Sequence, residues 1–444
     1  MPRVRRFGFF VLVALALAGP TLFWPMVYDD LHLIRPLEAR ELRAAWTGTW
    51  DPDGIETPGY RPLSTLFNHL RAVGLGQSAT AHRLFAALLL AGYAALLARL
   101  AVRLGLDPLS ASAGTLLFLC ARTTVFHHVW LTNANHMLQG FAFLCAAELL
   151  IDGIERDSLA RLAGSAAAMG GALLIREDSL AAFPALALIG LGSLEAATRR
   201  GRARFFGYLA VLAAAGLTLL AWRAALLPDA PAPGLDGGGF LLTLARALLP
   251  GGVDDFDAAS AALRLAWLAL LALLPLALAL TKTIPSRSTL SWLASAAFAA
   301  TTGLTAPRED ILFFAASFAS LGLASACADL ARSGGRCRYA PLALAVAMLG
   351  GLYAGQALAE NFHPASTKAL WWNTRMLFGP FRDKATIPEA TRRVAADRLA
   401  ALGIRRFATA RAVLRQLRLE AEAEGRRRPD GDRPFLPILS IEEF

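Results

Sequence analysis

The chain has 444 residues, 56% of them hydrophobic, a mean hydropathy of +0.47 and a formal net charge of +10. No single water-soluble core absorbs that much apolar sequence, so composition excludes an ordinary globular enzyme and points to a membrane protein. Of the 44 basic residues only Lys282, Lys368 and Lys384 are lysines, which with the Ala and Leu excess fits a GC-rich bacterial genome and a bacterial inner membrane. Cys120, Cys145 and Cys327 lie in apolar runs and Cys337 in a basic loop, without metal-ligand spacing, so neither a disulfide nor a zinc site is expected.

The first apolar run, Phe7 to Val27, is long enough at about 1.5 Å per residue to cross a hydrocarbon core of roughly 30 Å. Ala16-Leu-Ala18 has the small residues of a signal-peptide cleavage site, but apolar character continues to Val27. A retained helix with Arg3, Arg5 and Arg6 in the cytoplasm is therefore expected. It stops at Trp24-Pro-Met-Val-Tyr28-Asp29-Asp30, which places two adjacent carboxylates just outside the membrane. The pair either caps a short helix starting at Leu31 or carries chemistry.

Residues 28–78 form a first outer loop with two helical patterns. Ala39, Leu42 and Trp46 share a face after Pro36; Leu63, Leu66, Phe67 and Leu70 repeat the spacing after Pro62, and Gly74 ends it. Both read as interfacial helices with apolar faces toward lipid or the bundle, which brings the Gly59-Tyr60-Arg61-Pro62-Leu63 turn close to the aspartates.

Further spans are predicted over Ala79–Arg103, Leu109–Phe126, Asn135–Ile151, Leu162–Ile175, Ser179–Leu194, Phe205–Leu227, Ala262–Leu280, Leu290–Ala306, Ile311–Leu330 and Pro341–Leu358. The fold class is thus all-α, a polytopic bundle of about eleven transmembrane helices. Alternation from a cytoplasmic N-terminus puts the short basic clusters inside, among them Arg99 and Arg103, Arg156 and Arg161, and Arg199 to Arg204, as the positive-inside rule requires. The outer face collects Asp29-Asp30, the His127-His128 to His136 segment, Arg176-Glu177-Asp178, the loop Pro228 to Ser260, and Arg308-Glu309-Asp310.

Leu162–Ile175 makes only about 21 Å of helix and the next span is also short, so the first Arg-Glu-Asp triplet should be recessed below the outer surface. Charges at that depth line a wet cavity or pair with each other. The competing reading is a polar turn in which Asp178 and Asp310 cap the following helices. His127, His128 and His136, spread along a loop beside Trp130, read as solvated or interfacial, and Asp254-Asp255-Phe-Asp257 as solvated.

These residues resemble the GT-C superfamily of integral-membrane glycosyltransferases, which use sugars carried on polyprenyl phosphates. The likeness rests on a first helix ending at Tyr28-Asp29-Asp30, a long first outer loop with two interfacial helices, the Tyr60-Arg61-Pro62-Leu63 turn, a second helix opening with His82-Arg83, and Glu177 beside a basic residue at a hairpin. It covers roughly residues 1 to 200; the rest fits in helix count only. In that superfamily an acidic residue of the first outer loop is the base or a metal ligand, a role that falls here on Asp29 or Asp30.

The implied activity is hexosyl or pentosyl transfer, on the extracytoplasmic face, from a polyprenyl-phosphate donor to an acceptor glycan, lipid or protein of the cell envelope. A positioned carboxylate that takes the acceptor's proton is worth about 10²- to 10⁴-fold. Guanidinium groups suit the leaving lipid phosphate, with Arg61, Arg83, Arg176 and Arg308 as candidates. Tyr60, His82, Glu177, Asp178, Glu309 and Asp310 would line the cavity. Asp29 and Asp30 also make an oxygen pair for Mg or Mn, although two ligands do not define a site. Residues 1–358 form the membrane domain and 359–444 a partly helical extracytoplasmic tail, with Trp371-Trp372 as an anchor and helical patterns over Pro388–Gly403 and Phe407–Glu424. Membrane topology accounts for the basic clusters, so nucleic acid is not an expected partner. The alternative is a transporter or flippase for a lipid-linked or anionic substrate, but no internal repeat is found.

Overall fold

The computed structural model describes residues 3–23, 30–50, 59–76, 78–121, 124, 127, 130–194, 198–226 and 313–332. Every regular element among them is helical: α1 (Arg3–Ala18), α2 (Asp30–Leu33), α3 (Ala39–Thr47), α4 (Pro62–Leu75), α5 (Ala79–Arg103), α6 (Pro108–Leu119), α7 (Ala134–Glu155), α8 (Leu159–Ile175), α9 (Phe183–Ser193), α10 (Arg199–Leu226) and α11 (Phe313–Arg332). Three segments, α5, Leu131–Glu155 and α10, are long and apolar enough to cross a membrane. The spans predicted over Ala262–Leu280, Leu290–Ala306 and Pro341–Leu358, the loop Pro228 to Ser260 and the 359–444 tail lie outside the described residues.

Helix α5 is the centre of the bundle, with α1, α6 and α7 packed around it. Ala86, Ala87, Leu90, Ala91, Ala94 and Leu97 are all fully buried on it, and alanines on α5 let neighbouring backbones come close. Helix α1 meets α5 through Phe10, Ala14 and Ala18, a four-residue stripe. Helices α7 and α8 form a tight antiparallel hairpin, α9 and α10 lie against it, and α11 packs on α6.

The first helix is shorter than the apolar run suggested. It ends at Ala18, and Gly19–Thr21 continues as one 3₁₀ turn with Pro20 inside it, where the missing amide ends α-helical bonding. In the first loop both expected helices form, and α4 runs past Gly74 to Leu75 before Gly76 turns the chain with φ of 61°. Its orientation is the reverse of a soluble amphipathic helix. Ser64, Thr65, Asn68 and Arg71 are buried, while Leu70 and Val73 are exposed.

Charge collects at both ends of the helices. At one end Arg103 of α5 reaches Glu148, Asp152 and Glu155 on α7, with Arg161 of α8 also on Asp152. Arg204 of α10 binds the carboxylate and carbonyl of Asp157, whose φ of 51° makes the left-handed turn from α7 to α8. At the other end lie the starts of α4, α5 and α7 and the turn after α8.

Candidate functional site

The Gly59 to Pro62 turn is fixed locally before it meets anything distant. Pro62 occupies the first turn of α4, Trp50 N–H donates to the Gly59 carbonyl at 2.8 Å, and Thr65 Oγ1 donates to the Trp50 carbonyl at 2.6 Å. Ser64 Oγ then donates to the Ile175 carbonyl at 2.6 Å, tying the start of α4 to the end of α8. A Cβ on Gly59 would stand 3.1 Å from Glu177 Oε1, so the glycine lets the two segments approach.

This approach sets Arg61 against Glu177, with Nε 2.9 Å from Oε2 and Nη2 3.4 Å from Oε1, while the guanidinium lies 5.2 Å over the Trp50 ring. Arg223, from the far end of α10, comes within 3.9 Å of Glu177 Oε1. Arg176, extended at the end of α8, pairs with Asp178 at 3.1 Å, and Gln139 of α7 donates to Asp178 Oδ1 at 2.6 Å and to Ser179 Oγ at 2.7 Å. The side chains of Arg176, Glu177 and Asp178 are 12%, 19% and 21% exposed, so the triplet is recessed but reachable. Asp178 is the second residue of the 3₁₀ turn Glu177–Ala182, and its side chain bonds to Gln139 and Arg176. Burial alone would raise the Glu177 carboxyl, but Arg61 outweighs it and leaves the group below the usual carboxylate range. Asp178 is likewise depressed, with burial opposed by Arg176, His136 and Arg61.

A second polar group sits toward the other end of α4, about ten residues or 15 Å along the helix axis. Asp30 is fully buried, and its Oδ1 accepts from Thr132 N at 2.8 Å and Thr132 Oγ1 at 2.9 Å. Arg71 and Arg83, both buried, lie within its electrostatic reach. His82 is buried with Nε2 2.9 Å from the Gly76 carbonyl. This corrects the expectation that Asp30 faces the aqueous side: it is the counter-charge of two interior guanidinium groups. The Mg or Mn reading needs Asp29 as well, which lies outside the described residues. No cluster of three or more His, Cys, Asp or Glu among the described residues has metal-holding geometry.

The residues expected to share one cavity thus divide in two. Arg61, Arg176, Glu177 and Asp178 come together; Asp30, His82 and Arg83 form the other group. Tyr60 is buried and its hydroxyl donates to the Trp46 carbonyl at 3.3 Å, holding the loop. Asp29, Arg308, Glu309, Asp310 and His128 lie outside the described residues, as does the Asp254 to Asp257 cluster. His127 and His136, expected to be solvated or interfacial, are instead buried with rings 5.6 Å apart.

Ser64, Gln139, Arg71 and Arg223 are contributors the sequence reading passed over. Ser64, Asn68 and Arg71 stand at helical spacing opposite the leucines, and Arg223 is the one charge of α10 beyond its basic start at Arg199 to Arg204; either pattern marks an inward-facing polar group in a membrane protein. Comparison with known proteins gave no matching family model, no similar curated protein and no similar solved structure.

Proposed function

We propose that the chain is a membrane glycosyltransferase that moves a sugar from a polyprenyl-phosphate donor to a hydroxyl acceptor. The observation that carries this reading is the recessed pair of ion pairs, Arg61 with Glu177 and Arg176 with Asp178, at one end of an apolar bundle. Each guanidinium is held by a carboxylate that a phosphate can replace.

In the reaction the acceptor oxygen bonds to the anomeric carbon and the bond from that carbon to the lipid phosphate breaks. The bond's electron pair leaves on the phosphate oxygen, where Arg61 and Arg176 meet the growing charge. A carboxylate of the Asp29-Asp30 pair takes the hydroxyl proton. Of the two, Asp30 already accepts from Thr132 and balances Arg71 and Arg83. The base is therefore assigned to Asp29, an assignment that requires the donor's anomeric carbon to lie between it and the Arg61 and Arg176 guanidinium groups.

Transfer is measured in proteoliposomes with a panel of polyprenyl-phosphate hexoses and pentoses. Asp29→Asn should lower it by roughly 10²-fold with the melting temperature unchanged. Arg176→Ala should weaken donor-lipid binding by on the order of 2 kcal/mol. Wild-type transport of the lipid across the bilayer without sugar transfer would replace this reading by the flippase one.

A further inference from the structure

The protein-facing stripe of α10, made by Phe205, Tyr208, Leu212 and Gly216, continues about two turns further to Arg223. At Gly216 the helix meets the turn after α8 so closely that a Cβ there would stand 2.9 Å from the Leu180 side chain and 3.2 Å from the Phe183 ring. That contact aims Arg223 at Glu177, which opens the same turn. Its Nε lies 3.9 Å from Glu177 Oε1, is buried and makes no hydrogen bond. An arginine that only balanced the end of a helix dipole would turn its nitrogens to water; this one keeps Nε inside, facing a carboxylate.

Glu177 thus stands between two guanidinium groups that hold it unequally. Arg61 engages both oxygens, at 2.9 Å through Oε2 and 3.4 Å through Oε1, while Arg223 faces Oε1 from just beyond hydrogen-bond distance. A movement of Oε1 by about 1 Å would bring the Arg223 contact to an ordinary hydrogen-bond length. In the function proposed above Arg61 binds the donor phosphate, and a phosphate that takes Arg61 displaces Glu177. The displaced carboxylate is 19% exposed, and leaving a charge so far from water without a partner is strongly unfavourable. Arg223 is a counter-charge already in reach on its other side.

We propose that Arg223 is a positioning residue for phosphate binding: Glu177 passes from Arg61 to Arg223 when a polyprenyl phosphate enters, which frees Arg61 without stranding a recessed carboxylate. The inference rests on the assignment of Arg61 to the donor phosphate, and it gives a role to a residue that does not touch the donor.

The test is a double-mutant cycle on the full chain in phosphatidylcholine nanodiscs, with polyprenyl monophosphate, the lipid product of the proposed transfer, as the probe and its Kd as the readout. Arg223→Leu should weaken binding by about tenfold, because the displaced carboxylate then has no cation to meet. Glu177→Gln leaves no carboxylate to rehouse, so adding Arg223→Leu to it should change Kd by less than about twofold. Arg223→Lys keeps a cation in place and should recover most of the wild-type affinity, a rescue that a purely structural role would not produce. Should Arg223→Leu not fold, Arg223→Gln, which stays polar but loses the charge, takes its place in the cycle. An equal loss in both backgrounds would mean that Arg223 binds the phosphate itself, and no loss in either would mean that Glu177 needs no second partner. Each of these overturns the proposal while leaving Arg61 as a phosphate ligand. Wild-type binding that is absent, or that Arg61→Met leaves unchanged, would instead overturn the donor-site reading and this inference with it.

Discussion

Asp30 and Glu177 are both acidic residues held by arginine, yet their surroundings give them different consequences. Asp30 is wholly buried, and removing its charge takes a counter-charge away from the interior guanidinium groups of Arg71 and Arg83. Asn keeps an acceptor for Thr132, so Asp30→Asn isolates the electrostatic part. It should destabilise the fold by about 3 kcal/mol or more, seen as a lowered melting temperature, with any loss of transfer following the loss of folded protein. Glu177 and Asp178 are reachable, and their lowered carboxyl values make a pH prediction. A depressed carboxyl binds protons less readily in the folded chain than in the unfolded one. The stability it adds is complete above the ordinary carboxylate range and is lost as pH falls through that range and then through the lowered values beneath it. Thermal melts taken downward from about pH 6 should fall steeply in that window, and Glu177→Gln should flatten the fall. An equal acid slope in the variant would assign it to other carboxylates.

Helices are held to one another by close approaches that size alone can test. A Cβ on Gly114 of α6 would lie 3.0 Å from the Leu321 backbone and from the Ser320 carbonyl of α11, where only backbone movement relieves the clash. Gly114→Val should therefore push α11 off α6 and cost roughly 1–3 kcal/mol. Gly190→Ala should also destabilise, since its Cβ would stand 2.3 Å from the fully buried Phe205 ring, which has to shift. Disulfide trapping between α6 and α11 checks the first variant, and thermal melts measure both. The sequence predicted α5 over its full observed range, because its run is apolar on every side and ends at Arg103. The Arg176-Glu177-Asp178 side chains are largely buried, although α8 has 17 residues where the depth argument took only Leu162–Ile175. Two matters were beyond hydropathy. Pro20 divides an unbroken apolar run, and α4 turns its polar stripe inward, so the usual assignment of leucines to the inside reverses. The split of the candidate site follows from that reversal. Residues close in sequence, Arg61 and Arg71, stand at opposite ends of one helix, while Arg61 meets Glu177 from a hairpin far along the chain.

The arrangement of charge over the whole bundle makes a topological prediction. Chain direction puts the start of α5, the start of α7 and the end of α8 at one end, and the Arg103, Glu155 and Arg161 network at the other. The candidate site lies wholly at the first end, and the basic residues Arg99, Arg103, Arg161 and Arg199 to Arg204 at the second. A bilayer around α5, Leu131–Glu155 and α10 would separate these ends, and the positive-inside rule orients the second toward the cytoplasm. The exposed Phe206, Val211, Leu217 and Leu220 of α10 then lie at membrane depth, where apolar side chains need no protein cover. Single cysteines placed in a background without Cys120, Cys145, Cys327 and Cys337 test this. Ser78 and Val73 are exposed at the first end, Leu109 and Leu159 at the second. In intact bacterial spheroplasts an impermeant maleimide should label the first pair at once and the second only after permeabilisation. Labelling of all four from outside would show that the helices lie along the surface rather than across it. The reverse pattern would keep the bundle but turn the candidate site toward the cytoplasm. A base at Asp29 would then have to work on a donor sugar presented from the inner leaflet.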